Sequence, residues 1–142
     1  MSNNQRIVSI VDDETDITDL FQDALSTYID GISVVSFNDP TLALEHYTQN
    51  KQDYTLIISD MRIPLMTGLE LLKKVKELNP NVRTMLVSAL DMPDDPEFQK
   101  YLKDGVIDSF LEKPITINRL CEKVRNEVEA YDFCSKSPRL QI

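Results

Sequence analysis

The stretch YTLIISDMRIPLMTG, from Tyr54 to Gly68, decides the fold. Its first six residues, Tyr54 to Ser59, make a short run rich in β-branched and aromatic side chains. That run is too brief for a helix, and an aspartate and a proline-containing turn follow it, so it reads as a buried strand. After Gly68 the period changes. Leu69, Leu72 and Val75 recur every three residues, the stripe of an amphipathic helix, which Asn79-Pro80 stops. A strand that leads into a helix is the unit from which parallel sheets are wound.

The same alternation extends in both directions. Ile7 to Val11, Ile32 to Phe37, Arg83 to Ser88 and Ser109 to Glu112 read as four more buried strands. Ile17, Leu20, Phe21, Ala24, Leu25 and Tyr28 fall on one face of a first helix. Asp39-Pro40 combines an N-cap with a proline at the first helical position and opens a second helix that runs to about Gln49. Between Asp91 and Asp108, where Pro93, Pro96, Asp94, Asp95 and Asp104 cluster, only a short helix from Glu97 to Leu102 is expected. Ile117, Leu120, Cys121, Val124 and Val128 mark the last helix, and beyond Tyr131 a loose tail is expected. The expected class is α/β: a five-stranded parallel sheet with helices on both faces, occupying residues 1–130 as one domain with a short tail at 131–142 and no effector domain.

Composition removes several classes of function. The chain has 142 residues, 15 Lys and Arg against 24 Asp and Glu, and a net charge of −9. Nucleic-acid binding needs cations to neutralise phosphates, so no direct nucleic-acid partner is expected. With 42% hydrophobic residues the chain still carries enough apolar surface to fold. Its three glycines, Gly31, Gly68 and Gly105, are too dispersed for a dinucleotide fingerprint or a Walker loop. One histidine, His46, and two distant cysteines, Cys121 and Cys134, cannot make a zinc centre without several carboxylate ligands, and they imply no disulfide framework. No apolar run is long enough to span a bilayer, and a reducing cytoplasm is the expected setting.

Open parallel sheets bind ligands beyond the C-terminal ends of their strands. Here those ends carry Asp12-Asp13, Asp60, Ser88 and Lys113. Singly, each has an ordinary structural explanation: carboxylates favour helix N-termini, Asp60 and Ser88 suit turns, and a lysine before a proline is usually solvated. Jointly, they bring three carboxylates, a hydroxyl and an ammonium to one edge. Three crowded acids repel unless a cation neutralises them, and an all-oxygen donor set selects a hard ion such as Mg²⁺. An ionised aspartate beside that ion is a competent nucleophile toward a phosphoryl group. Asp60 fits this role, with Lys113 and Ser88 placed to match charge on the phosphoryl oxygens.

Asp12-Asp13, the D-x-x-x-P-x-x-x-G pattern from Asp60 to Gly68, Ser88-Ala89 and FLEKP from Phe110 to Pro114 together resemble the receiver domain of two-component response regulators, over roughly residues 5 to 130. The resemblance implies a doubly wound, flavodoxin-like sheet of order 2-1-3-4-5. It implies that Asp60 is the phosphoacceptor, that Asp12, Asp13, Asp60 and the Arg62 carbonyl hold Mg²⁺, and that Ser88 is the switch hydroxyl. Lys113 is then the phosphate-pairing lysine, Phe110 the aromatic that turns inward on activation, and Lys113-Pro114 a cis peptide. Arg62 and Leu90 fall at positions that tune phosphoryl lifetime. The implied partners are a histidine kinase or phosphotransfer protein and an unidentified downstream protein, with homodimerisation on phosphorylation left open and no membrane involved. The chain itself would be a switch rather than a turnover enzyme.

Two other classes remain open at this level. A small hydrolase of the aspartyl-phosphate type would need a general acid two residues after the nucleophile, where this chain has Arg62. A pseudo-receiver would keep the fold without using phosphate, although every expected position is filled. Away from the strand ends, His46 reads as a rim residue, Cys121 as a core residue, and Lys73, Lys74 and Lys76 as the solvated face of the third helix.

Overall fold

The computed structural model describes residues 6–89 and 94–136. Leu90, Asp91, Pro93 and the last six residues of the expected tail lie outside that range. The elements alternate: β1 (Arg6–Val11), α1 (Thr15–Tyr28), β2 (Ile32–Phe37), α2 (Pro40–Gln49), β3 (Tyr54–Asp60), α3 (Gly68–Leu78), β4 (Arg83–Ser88), α4 (Pro96–Lys103), β5 (Ser109–Glu112) and α5 (Ile117–Lys136). All four strand pairings are parallel and the order is β2-β1-β3-β4-β5. The order reverses at β1 and β3, which places the ends of those two strands side by side.

The pleat divides the interior in two. Val8, Ile10, Leu56, Ile58, Met85, Val87 and Leu111 face α1 and α5, where Phe21, Leu25, Leu120, Cys121 and Val124 complete one core. Ile57 and Leu86 face the opposite way, toward Tyr47, Leu69, Leu72, Val75 and Phe98 of α2, α3 and α4. Helix starts follow local chemistry. The Asp39 carboxylate accepts from the Thr41 N–H at 2.8 Å, and Asp95 caps α4 by accepting from the N–H groups of Glu97 and Phe98. Thr67 and Glu70 form a reciprocal capping box at α3, a T-x-x-E signal also readable from sequence. Among the described residues, no helix is long and apolar enough to cross a membrane.

Four expectations need correction. β2 is half-buried along its whole length, because it is an edge strand with a neighbour on one side only. Leu20 and Tyr28 are 52% and 60% exposed; the buried stripe of α1 is Thr18, Phe21, Ala24 and Leu25, rotated toward the sheet. Lys76 is not solvated: its ammonium binds Asp108 at 2.9 Å and donates to the Val82 carbonyl at 2.7 Å. Finally, α5 continues to Lys136 past the expected tail boundary, and the Arg6 guanidinium ties its last turns to β1 through two 2.9 Å contacts with Asp132.

Gly68 is required by close approach rather than by an unusual dihedral. A Cβ there would lie 2.3 Å from the Asp60 carbonyl oxygen and 2.9 Å from Leu86 Cδ1. The Gly68 N–H donates to the Met61 carbonyl at 2.7 Å, so α3 starts directly against the end of β3. Gly68→Ala is expected to lower unfolding free energy by roughly 1–3 kcal/mol, as overpacking of a rigid site does, measured by urea titration.

Candidate functional site

β1 and β3 end next to each other, and their terminal carboxylates follow. Asp12, Asp13 and Asp60 each offer an oxygen within 4.8 Å of the others. Asp12 is buried, Asp60 half-buried and Asp13 exposed, so the cluster opens to solvent on one side. Its hard-oxygen donor set fits a small divalent cation, and the Arg62 carbonyl lies on the loop directly after Asp60.

Asp12 is held from two directions. Its Oδ1 accepts the Glu14 N–H at 2.9 Å, so it shapes the β1–α1 turn instead of capping the helix, whose N-cap is Glu14. Its backbone carbonyl accepts from Asn38 Nδ2 at 2.7 Å, and its own N–H reaches the Phe37 carbonyl at 3.1 Å. Asn38 is a supporting residue that sequence reasoning missed. An asparagine after a strand signals a turn, and only the β1–β2 register shows that it reaches the acidic edge.

Lys113 arrives from the far edge of the sheet. Its backbone N–H donates to the Ser88 carbonyl at 2.9 Å, and the Lys113-Pro114 peptide is cis, as expected. Its Nζ lies 2.9 Å from Asp60 Oδ1 and 3.9 Å from Asp12 Oδ2. Ser88, at the end of β4, is 2% exposed. Asp60, Met61, Arg62, Ser88, Ala89 and Lys113 line a pocket of about 140 Å³. Phe110 is half-buried and packs edge-on against Phe98 of α4, ring centroids 5.1 Å apart. All the strand-end residues singled out by sequence therefore meet at one edge, with Phe110 behind it. His46 is a rim residue bonded to the Tyr54 hydroxyl, and Cys121 is buried in the core.

The electrostatics are strained in one direction. Burial pushes the Asp12 carboxyl up to about 6; the Glu14 N–H opposes the rise and the Asp60 charge adds to it. Burial also works against the Lys113 ammonium, but the hydrogen bond and charge of Asp60 outweigh it, leaving the group above its ordinary value. The pocket thus holds more negative charge than one ammonium neutralises.

The chain has known relatives. The model of the response regulator receiver domain family matches residues 8–125. The C4-dicarboxylate transport transcriptional regulatory protein DctD of Rhizobium meliloti (strain 1021) is 32% identical over 122 residues, which make up 86% of this chain and 25% of that protein. This chain therefore spans about a quarter of that relative's length. The sporulation initiation phosphotransferase F of Bacillus subtilis (strain 168) is 30% identical over 86% of this chain and 92% of its own length. Among solved structures, a response regulator receiver domain protein from Clostridium thermocellum superposes with a TM-score of 0.79 over 90% of this chain and 98% of its own, at 23% identity, a likeness of fold. The chain belongs to the response regulator receiver domain family, which serves signalling in two-component systems.

The Asp12 shift has a defined sign. The folded value, about 6, lies above the ordinary carboxylate value of 3.8, so this group's favourable contribution to folding is complete below the latter and is lost as pH rises through the former. Without divalent cations, Asp12→Asn is expected to raise stability at pH 7.5 by on the order of 1–2 kcal/mol, with the gain shrinking toward zero near pH 4. Urea titrations at the two pH values measure it.

Proposed function

We propose that this chain is a phosphorylation-dependent switch that accepts a phosphoryl group on Asp60 from a histidine kinase or phosphotransfer protein. The observation that carries the reading is the Lys113 ammonium 2.9 Å from Asp60 Oδ1, beside three carboxylates whose oxygens lie within 4.8 Å of one another. Asp12, Asp13, Asp60 and the Arg62 carbonyl would hold Mg²⁺. When bound, that ion supplies the positive charge the acids lack and screens the donor's phosphate from them.

The chain's own residues supply the rest. Asp60 offers an anionic oxygen as nucleophile. Lys113 holds that oxygen before transfer and can pair with the phosphoryl oxygens after it. Ser88 lines the same pocket, where its hydroxyl can donate to the added group. Phosphorylation adds about −1.5 to −2 charges. Drawing Ser88 toward them would vacate space for Phe110 to leave Phe98 and turn inward, changing the face presented to a downstream protein.

Turnover as a hydrolase is disfavoured by Arg62, an exposed guanidinium where a general acid would stand. The decisive experiment is incubation with acetyl phosphate and Mg²⁺. The wild-type chain is expected to gain a base-labile phosphate that Asp60→Asn does not; absence of label on the wild type overturns the reading and favours a phosphate-independent module. Lys113→Ala is expected to slow labelling by roughly 10- to 100-fold, as loss of a charge-matching donor does.

Removing Mg²⁺ with a chelator is expected to abolish labelling of the wild type. In an NMR titration, amide shifts at the ends of β1 and β3 should respond to Mg²⁺, with affinity falling below pH 6 as protons compete for Asp12. A pH-independent affinity would place the ion elsewhere.

A further inference from the structure

β5 is the least supported strand of the sheet. It has four residues and pairs with β4 alone. Even so, Phe110 lies within it and Lys113 follows it directly. Its four main-chain pairings make the shortest ladder in the sheet. A second set of bonds holds it from the end opposite Asp60.

Ser109, the first residue of β5, donates its hydroxyl proton to Glu127 Oε2 on α5. The other carboxylate oxygen, Oε1, accepts from Arg83 Nε at 2.7 Å. Arg83 opens β4, so one side chain on α5 grips the beginnings of both paired strands. One residue before β5, Asp108 accepts from the Thr84 N–H at 3.0 Å and from Lys76 at 2.9 Å. Its own N–H donates to the Thr84 carbonyl at 3.1 Å. Two acids and two bases drawn from α3, β4, the approach to β5 and α5 thus close a single network.

Glu127 is 6% exposed. Buried ion pairs recover little net stability, because desolvation offsets the attraction, but their directional bonds select one geometry. An extended strand has almost no slack, rising about 3.3 Å per residue, so the seat of Ser109 sets where Lys113 arrives. We propose that Glu127 is a positioning residue for the phosphoryl site: through Ser109 and Arg83 it fixes the axial position of β5, and with it the Lys113 ammonium against Asp60. The inference rests on the reading of Asp60 as phosphoacceptor.

The test combines acetyl phosphate labelling with amide hydrogen exchange on the full chain. Glu127→Ala is expected to slow labelling about 10- to 100-fold, as small displacements of a reacting geometry do. Mg²⁺ affinity should stay unchanged, since its proposed ligands lie just after β1, at the end of β3 and on the loop that follows β3. In the same variant, the Leu111 and Lys113 N–H groups should exchange at least about tenfold faster while those of β1 and β3 do not, the pattern of local rather than global opening.

Ser109→Ala removes only the hydroxyl bond, leaves Glu127 paired with Arg83, and should shift both readouts in the same direction. Glu127→Gln, which preserves shape and hydrogen bonding, should restore most of the labelling rate. Uniformly faster exchange with labelling that merely tracks the folded fraction overturns the proposal, as does wild-type behaviour of both Glu127→Ala and Ser109→Ala. Selective loosening of β5 in a chain whose wild type takes no phosphate would support the seating of β5 and overturn the phosphoacceptor reading instead.

Discussion

Everything about this molecule's functional edge follows from crowding three carboxylates where two neighbouring strands end. Asp12, Asp13 and Asp60 stand close enough to repel, and burial pushes the Asp12 carboxyl up to about 6. One ammonium, Lys113, leans against the cluster from the far side of the sheet. A protein selected for stability alone would not keep such an arrangement, because neutral side chains would suit the same backbone better. Positive charge entering the edge would relieve the crowding, which is the part proposed for Mg²⁺.

The surrounding structure keeps that edge from relaxing. Asn38 and the Glu14 N–H hold the Asp12 turn, Gly68 lets α3 begin directly against the Asp60 carbonyl, and the Lys113 N–H is bonded to the Ser88 carbonyl. Each contact comes from a different element. The carboxylates therefore cannot drift apart without disturbing the β1–α1 turn, the β3–α3 turn or the β4–β5 ladder.

The alternating periods of the chain made the five strands and five helices legible, and the residues closing those strands made the acidic edge legible. Chemistry that depends on spatial neighbours was not. Lys76 looks like any solvated lysine until β4 and β5 bring Asp108 beside it. Leu20 and Tyr28 share a helical face with Phe21 and Leu25, yet they stay exposed while Thr18 is buried. The last helix runs past its expected end, and Arg6, at the other end of the chain, pairs with Asp132 in that added stretch. Periodicity reports what a segment can bury; long-range polar contacts decide what it does bury.

The strand order carries a kinetic consequence. β1 and β3 lie side by side within the sheet, yet the whole of α1, β2 and α2 separates them along the chain. Their pairing closes a long loop and belongs to the slower, non-local class of contacts. The acidic edge comes into being only at that closure, so an incompletely folded chain has no site at all. A ligand that binds the edge of the completed sheet and not the unfolded chain stabilises the folded state by RT ln(1 + [L]/Kd), a gain that grows with ligand concentration.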